Sequence, residues 1–172
     1  VVFGGPVWFC ESKFLNPGDR TSFKNARFDR TVEFCRAEFE GREVLFTEAK
    51  FLMDSVNFSW AKFDAEHIVF NSILLIGEAT FASAIFKGER LSFRSASFAG
   101  GAVSFESTRF DSNQVRFQNA EFGDGGCVFR SAHFCADLVT FKEAVFGSGK
   151  YIFQDALFTG RVDLGDLRKV SK

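Results

Sequence analysis

The side chains able to do chemistry in this chain are few, and poorly spaced for it. There are two histidines, His67 and His133. A histidine acting as general base needs a nucleophile or an orienting carboxylate on the same surface, within hydrogen-bond reach. His67 closes the polar stretch DAEH at 64–67, which reads as a turn, and His133 takes an outward strand position. Neither has a regularly spaced Ser, Cys or Asp partner, and both are read as solvated surface groups. The four cysteines, Cys10, Cys35, Cys127 and Cys135, form no CxxC pair and have no histidine at metal-ligand spacing. A zinc site and a disulfide framework are therefore not indicated. Free thiols are expected, and with them a reducing, cytoplasmic location. The glycine-rich stretches AGGA at 99–102 and GDGG at 123–126 recur at turn positions and are not phosphate loops. Acidic residues are scattered over every kind of polar slot, so carboxylate pairs arise by chance. No catalytic residue, metal or cofactor is expected, and the chain is read as non-enzymatic.

Composition narrows the remaining classes. A chain of 172 residues with 46% apolar side chains is sized for one domain with its own core. The net charge of −1, from 21 basic and 22 acidic residues, is not that of a polyanion-seeking protein, so direct nucleic-acid binding is not expected. The longest apolar run, 73–76, falls far short of the roughly 20 residues a membrane-spanning helix needs, so no membrane insertion is expected. Residues 1–10 lack both an initiating Met and the basic start of a signal peptide, so a processed or excised piece of a longer protein is expected. The anomaly is phenylalanine, with 26 copies against one Tyr, two Trp and one Met. One residue type this dominant means that one environment is built many times over.

The spacing of those phenylalanines supplies the architecture. Phe39, Phe46, Phe51, Phe58, Phe63 and Phe70 stand 7, 5, 7, 5 and 7 residues apart, and the rhythm resumes from Phe81 to Phe158. The unit is F-x-x-A-x-F-x-x-x-x-V-x, twelve residues long, as in FKNARF at 23–28, FCRAEF at 34–39, FTEAKF at 46–51 and FQNAEF at 117–122. FCESKF at 9–14 is a worn first copy and FNSILL at 70–75 a divergent one. A second ladder precedes the first Phe of each unit by two residues: Val32, Val44, Val56, Ile68, Ala79, Leu91, Val103, Val115, Cys127, Val139 and Tyr151. The frame slips by one residue only twice, near Thr31 and near Glu78. A helix is excluded, because a twelve-residue step rotates the pattern by about 120° and spreads Phe around the axis. Flat strands are excluded too, because odd spacings throw successive Phe to opposite faces.

A chain that turns a corner between neighbouring Phe residues returns each ring to one shared interior. Within a short side, A-x-F and V-x-F alternate inward, outward, inward. The four-residue spacers, such as EGRE at 40–43, KGER at 87–90 and GSGK at 147–150, are assigned to turns. Cys10 and Cys35 follow the first Phe of their units, two units apart, which stacks them on one face as two outward thiols or, less simply, a disulfide. A twelve-residue coil is too narrow for two Phe, an Ala and a Val. Two units per coil give a four-sided tube, with rings stacking on the coils above and below at the ~4.8 Å strand spacing.

The segments ARFDR at 26–30, AEFEG at 37–41 and AEFGD at 120–124 resemble the pentapeptide-repeat family, whose unit is usually written A-(D/N)-(L/F)-x-x. The likeness runs from about residue 7 to 164 and is nearest to a Phe-rich branch in which longer units alternate with the five-residue one. It implies an all-β fold: a right-handed, four-sided parallel β-helix of six to seven coils, forming a single domain with residues 165–172 as a cap or tail. Two departures stand out. The Asp or Asn usual after Ala is missing, and the alternating seven-residue step adds residues at two corners of each coil.

For function, the resemblance implies a structural scaffold or a protein–protein interaction module. The alternative is a DNA mimic that binds a DNA-handling enzyme such as DNA gyrase, as some family members do. Mimicry wants a continuous acidic stripe, and Glu38, Glu40, Asp64, Glu66, Glu106 and Asp111 offer one only in part, interleaved with Lys62, Lys87, Arg90 and Arg109. A carbohydrate-cleaving β-helix would need a cleft-forming insertion that the repeat does not contain. Outward slots turn apolar toward the C-terminus, at Val128, Val145, Ile152 and Leu157. With Leu164 and Leu167 these are assigned to a cap or to a homodimer contact at the C-terminal end.

Overall fold

The computed structural model describes residues 1–52, 55–165 and the backbone of 168–169. Among these there is no helix, and every strand pairing is parallel. The chain is an all-β parallel solenoid of about seven turns, in which each turn adds a strand to each of three sheets in succession. These sheets hold eight, seven and nine strands.

The register is regular from turn to turn. Val32 pairs with Val56, Val103 with Cys127, and Glu38 with Lys62. The step is the same in each, and the hydrogen bond from Lys62 to Glu38 spans 24 residues. Both slips in the sequence frame fall at one corner, between the first and second sheets. Each shortens that corner by one residue, between Phe28 and Val32 and between Leu75 and Ala79, so the step from Val56 to Ala79 is one position shorter. The longer step from Val7 to Val32 comes from extra residues at a register shift between Asn16 and Arg20 on the third sheet. A corner loop can lengthen or shorten without moving an inward side chain to the wrong face.

The interior is built almost entirely from phenylalanine at its widest positions. All 26 Phe fall into four stacks, one running Phe9, Phe34, Phe58, Phe81, Phe105, Phe129 and Phe153. Rings in one stack are 4.4 to 5.7 Å apart and within 16° of parallel. Neighbouring stacks meet edge to face, as Phe34 meets Phe46 at 5.7 Å and 89°. Both geometries suit the ring quadrupole. Leu75 breaks one stack, between Phe51 and Phe98, and Ile73 beside it replaces the usual Ala; both are buried. A larger residue in the small slot compensates a smaller one in the large slot, which holds the local volume.

The corners differ from the sequence assignment in two ways. The spacers EGRE at 40–43 and KGER at 87–90 are not turns but lie inside continuous strands, Glu38–Leu45 and Ile85–Ser92. His67 likewise belongs to the strand Lys62–Val69. Their backbones pair with the adjacent turn, Glu40 with Asp64 and Lys87 with Asp111, so the third sheet bends where a reverse turn was expected. The tight turns sit in F-x-x-A, where the Ala amide donates to the Phe carbonyl three residues back, as in Ala61 to Phe58 at 3.1 Å. The residue before the Ala slot is left-handed in every unit, from Asn25 at φ 57° to Asp155 at φ 58°. The remaining corner carries the glycine-rich spacers, and these are required by close approach: a Cβ on Gly100 would lie 1.7 Å from the Ile76 carbonyl oxygen.

Candidate interaction surface

With the interior taken up by Phe, Ala and Val ladders, recognition chemistry is confined to outward rows fixed by register. On the third sheet Lys13, Glu38 and Lys62 stand in one row. Glu38 bridges both lysines, at 2.9 Å to Lys13 and 3.4 Å to Lys62. Hydrogen bonds from Lys13 and then Lys62 hold its carboxyl below the usual range, and the pairing raises Lys13. The next row places Glu40, Asp64, Lys87 and Asp111 side by side, with Lys87 bonded to Asp64 at 2.7 Å. Asp111 takes Arg109 at 2.9 Å, and Glu106 takes Arg130 at 3.4 Å. The acidic stripe considered for mimicry is thus interrupted by paired cations at Glu38, Asp64, Glu106 and Asp111.

The cysteines depart from expectation. Cys10 and Cys35 occupy equivalent turn positions on consecutive coils, their Cα atoms 4.6 Å apart, and are joined by a disulfide. That separation lies inside the usual disulfide range, because parallel coils bring equivalent positions to one strand spacing. The expectation of free thiols fails for this pair, and the inference from free thiols to the cytoplasm loses that support. A Glu33 carboxylate oxygen lies within 4.8 Å of both sulfurs, but the disulfide leaves it as the one available ligand of the three. Cys127, as expected of an inward ladder position, is buried, and burial pushes its thiol well up; Cys135 is exposed and free.

The apolar residues toward the C-terminus do not form one patch. Val128 and Ile152 are neighbours on the second sheet. Val145 lies on the first sheet, and Leu157 beside His133 on the third. Leu164 is half exposed and lines an apolar recess with Phe141, Phe146, Phe153, Phe158 and Val162. Leu167 lies outside the described residues. Sequence reasoning found these residues by counting outward slots, but a slot number does not say which sheet carries it.

His133 is exposed, as expected. His67 is partly buried between Glu43 and Arg90, and its Nδ1 has no hydrogen-bond partner. Sequence reasoning also missed a cluster of three arginines at the end of the third sheet, Arg90 and Arg116 on its strands and Arg94 in the turn that follows. Its signal was available only as register, since a full turn of the coil brings Arg116 beside Ser92. Among the described residues no helix is long and apolar enough to cross a membrane. No protein-family model matches the chain, and no curated protein matches it significantly.

Proposed function

We propose that the chain is a non-enzymatic interaction scaffold of the pentapeptide-repeat type, presenting fixed outward rows to a protein partner. The observation that supports this most is the contrast between a uniform interior and a non-repeating exterior. The outward row of the second sheet runs Trp8, Glu33, Asn57, Thr80, Ser104, Val128, Ile152, while the inward Phe stack beneath it never changes. A surface that repeated one residue would suit a lattice; a varied one on a rigid rod suits a specific macromolecule. Replacing the outward residues one sheet at a time, and measuring which proximity-labelled neighbours are lost, tests the reading. Loss confined to one sheet supports it, and a neighbour set unaffected by all three replacements overturns it.

A duplex-mimicking role toward a DNA-handling enzyme such as gyrase is the second reading, and the ion pairs at Glu38, Asp64, Glu106 and Asp111 count against it. The expected result in a supercoiling assay is no inhibition. A homodimer through the C-terminal end is a separate proposal; a monomeric mass by light scattering at micromolar concentration overturns it.

A further inference from the structure

Arg90, Arg94 and Arg116 surround one small, buried hydroxyl. On the strand Ile85–Ser92, Leu91 points inward, so Arg90 and Ser92 share the outward face. On the next turn Gln114 lies beside Arg90 and Arg116 beside Ser92. Arg94 follows at the first position of the Phe93 turn, its amide donating to Asn71 Oδ1 at 3.0 Å. Ser92 donates to the same oxygen at 2.6 Å and is 3% exposed, forming the floor. By strand geometry the Cα atoms of Arg90 and Arg116 sit about 5 to 7 Å from that of Ser92.

This cluster differs from the paired part of the charged surface. Five other arginines (Arg20, Arg27, Arg36, Arg109 and Arg130) each have a carboxylate partner. Among the described residues Arg90, Arg94 and Arg116 have none, as is also true of Arg30, Arg42 and Arg161. What marks the three is that Arg90 and Arg94 lie close enough to act on Arg116, which donates instead to the neutral Gln114 Oε1. Arg116 is also partly buried, and burial, then Arg90 and Arg94, weaken its hold on its proton. Like charges on neighbouring strand positions are unfavourable, and a half-buried cation without an acid more so. A bound anion would relieve both.

We propose that Arg90, Arg94 and Arg116, floored by Ser92 and flanked by Gln114, form a binding site for a single phosphate- or sulfate-class oxyanion. Guanidinium forks match tetrahedral oxyanions bidentately, and the register sets three such side chains around Ser92, within their own reach of one bound group. A long polyanion does not fit the setting. The chain carries a net charge of −1, and the basic area covers two turns only. The inference does not depend on the scaffold reading, since an oxyanion free in solution or carried by a partner would be held by the same forks.

The test is calorimetric titration of the full chain at low salt, in a buffer free of oxyanions, with inorganic phosphate, sulfate and a phosphoserine peptide as probes. Saturable one-to-one binding is expected. Arg116→Gln or Arg94→Gln should each weaken it about tenfold, the loss of one charge-assisted hydrogen-bonding group, while Arg130→Gln leaves it unchanged. Tighter binding of the peptide than of phosphate would assign the oxyanion to a partner, and equal binding to a free ion. No saturation with any probe, or an equal loss in Arg130→Gln, overturns the proposal and leaves the scaffold reading standing. Thermal melts of the exposed-residue variants confirm that each remains folded.

Discussion

Phe117 lies flat between Phe93 and Phe141, at 5.1 and 4.9 Å, while the edges of Phe105 and Phe129 close it from the side at 5.8 and 5.9 Å. With Phe122 at 6.0 Å and Phe110 at 6.5 Å, the ring thus has aromatic neighbours on both faces and from all three other stacks. Phe117→Ala is expected to cost ~3–5 kcal/mol, because the adjacent coils cannot collapse into the gap without breaking their own register. Gln118 and Glu121, outward in the same unit, should tolerate Ala within about 0.5 kcal/mol. Urea melts of the three variants check this; equal losses at all three would overturn the assignment of facing.

Ile73 and Leu75 make a second case, since they exchange volume within one side of one turn. Leu75→Phe alone should overpack the site and destabilise by ~1–3 kcal/mol. Combined with Ile73→Ala it restores the pattern of the other units and should return to within about 1 kcal/mol of the parent. A double-mutant cycle reads the coupling, and strict additivity would mean that the two positions do not share space. Ala96→Leu, with no compensating partner, should be as costly as Leu75→Phe alone.

Trp60 is held at φ 61° and is 61% exposed. A bulky side chain gains little there and bears the steric cost of the left-handed region. Trp60→Asn is expected to stabilise the protein by about 0.5–1 kcal/mol, because Asn enters this region more readily. Trp60→Val should destabilise by about 1–2 kcal/mol, since a β-branched residue is the least suited to it. Denaturation midpoints at constant m-value provide the comparison, and the reverse order would show that Trp60 is held by contacts outweighing its backbone cost.

The Cys10–Cys35 disulfide closes a loop across one turn. Thiol titration should find Cys135 reactive in the native protein, Cys127 in addition after denaturation, and all four cysteines only after reduction. Paired replacement of Cys10 and Cys35 by Ser should lower stability by roughly 3.5 kcal/mol, as the loop-entropy account gives for a loop of this size. Three or more reactive thiols in the unreduced native protein would show the pair to be open.

The repeating interior was legible from the sequence because inward positions are dictated locally. A-x-F and V-x-F alternate across a strand, and only one curvature returns Phe at spacings of 5 and 7 to a common side. That reasoning placed Phe117, Ala96, Val115 and Cys127 inside, and all four are buried. It did not say how each corner is made, because strand bend and tight turn depend on pairing with the neighbouring coil. EGRE at 40–43 looks like a turn until its backbone is hydrogen-bonded to residues one coil away. The left-handed residue of each F-x-x-A turn was hidden for the opposite reason. Eight of the thirteen are Ser, Asn or Asp and none is β-branched, but Arg36, Glu48 and Trp60 stand there too, and small polar residues fill outward slots elsewhere, so the bias does not mark the turn along the sequence. Counting units stacked Cys10 on Cys35 but left thiols and a disulfide both open, and the other exterior neighbours were decided by register: Glu38 between Lys13 and Lys62, and Arg116 beside Ser92. The step between stacked neighbours varies with the corner loop and with the register shift between Asn16 and Arg20, being 23 from Asp64 to Lys87, 24 from Glu38 to Lys62 and 25 from Cys10 to Cys35. No fixed count of residues therefore places every such neighbour, and the stacked backbones do.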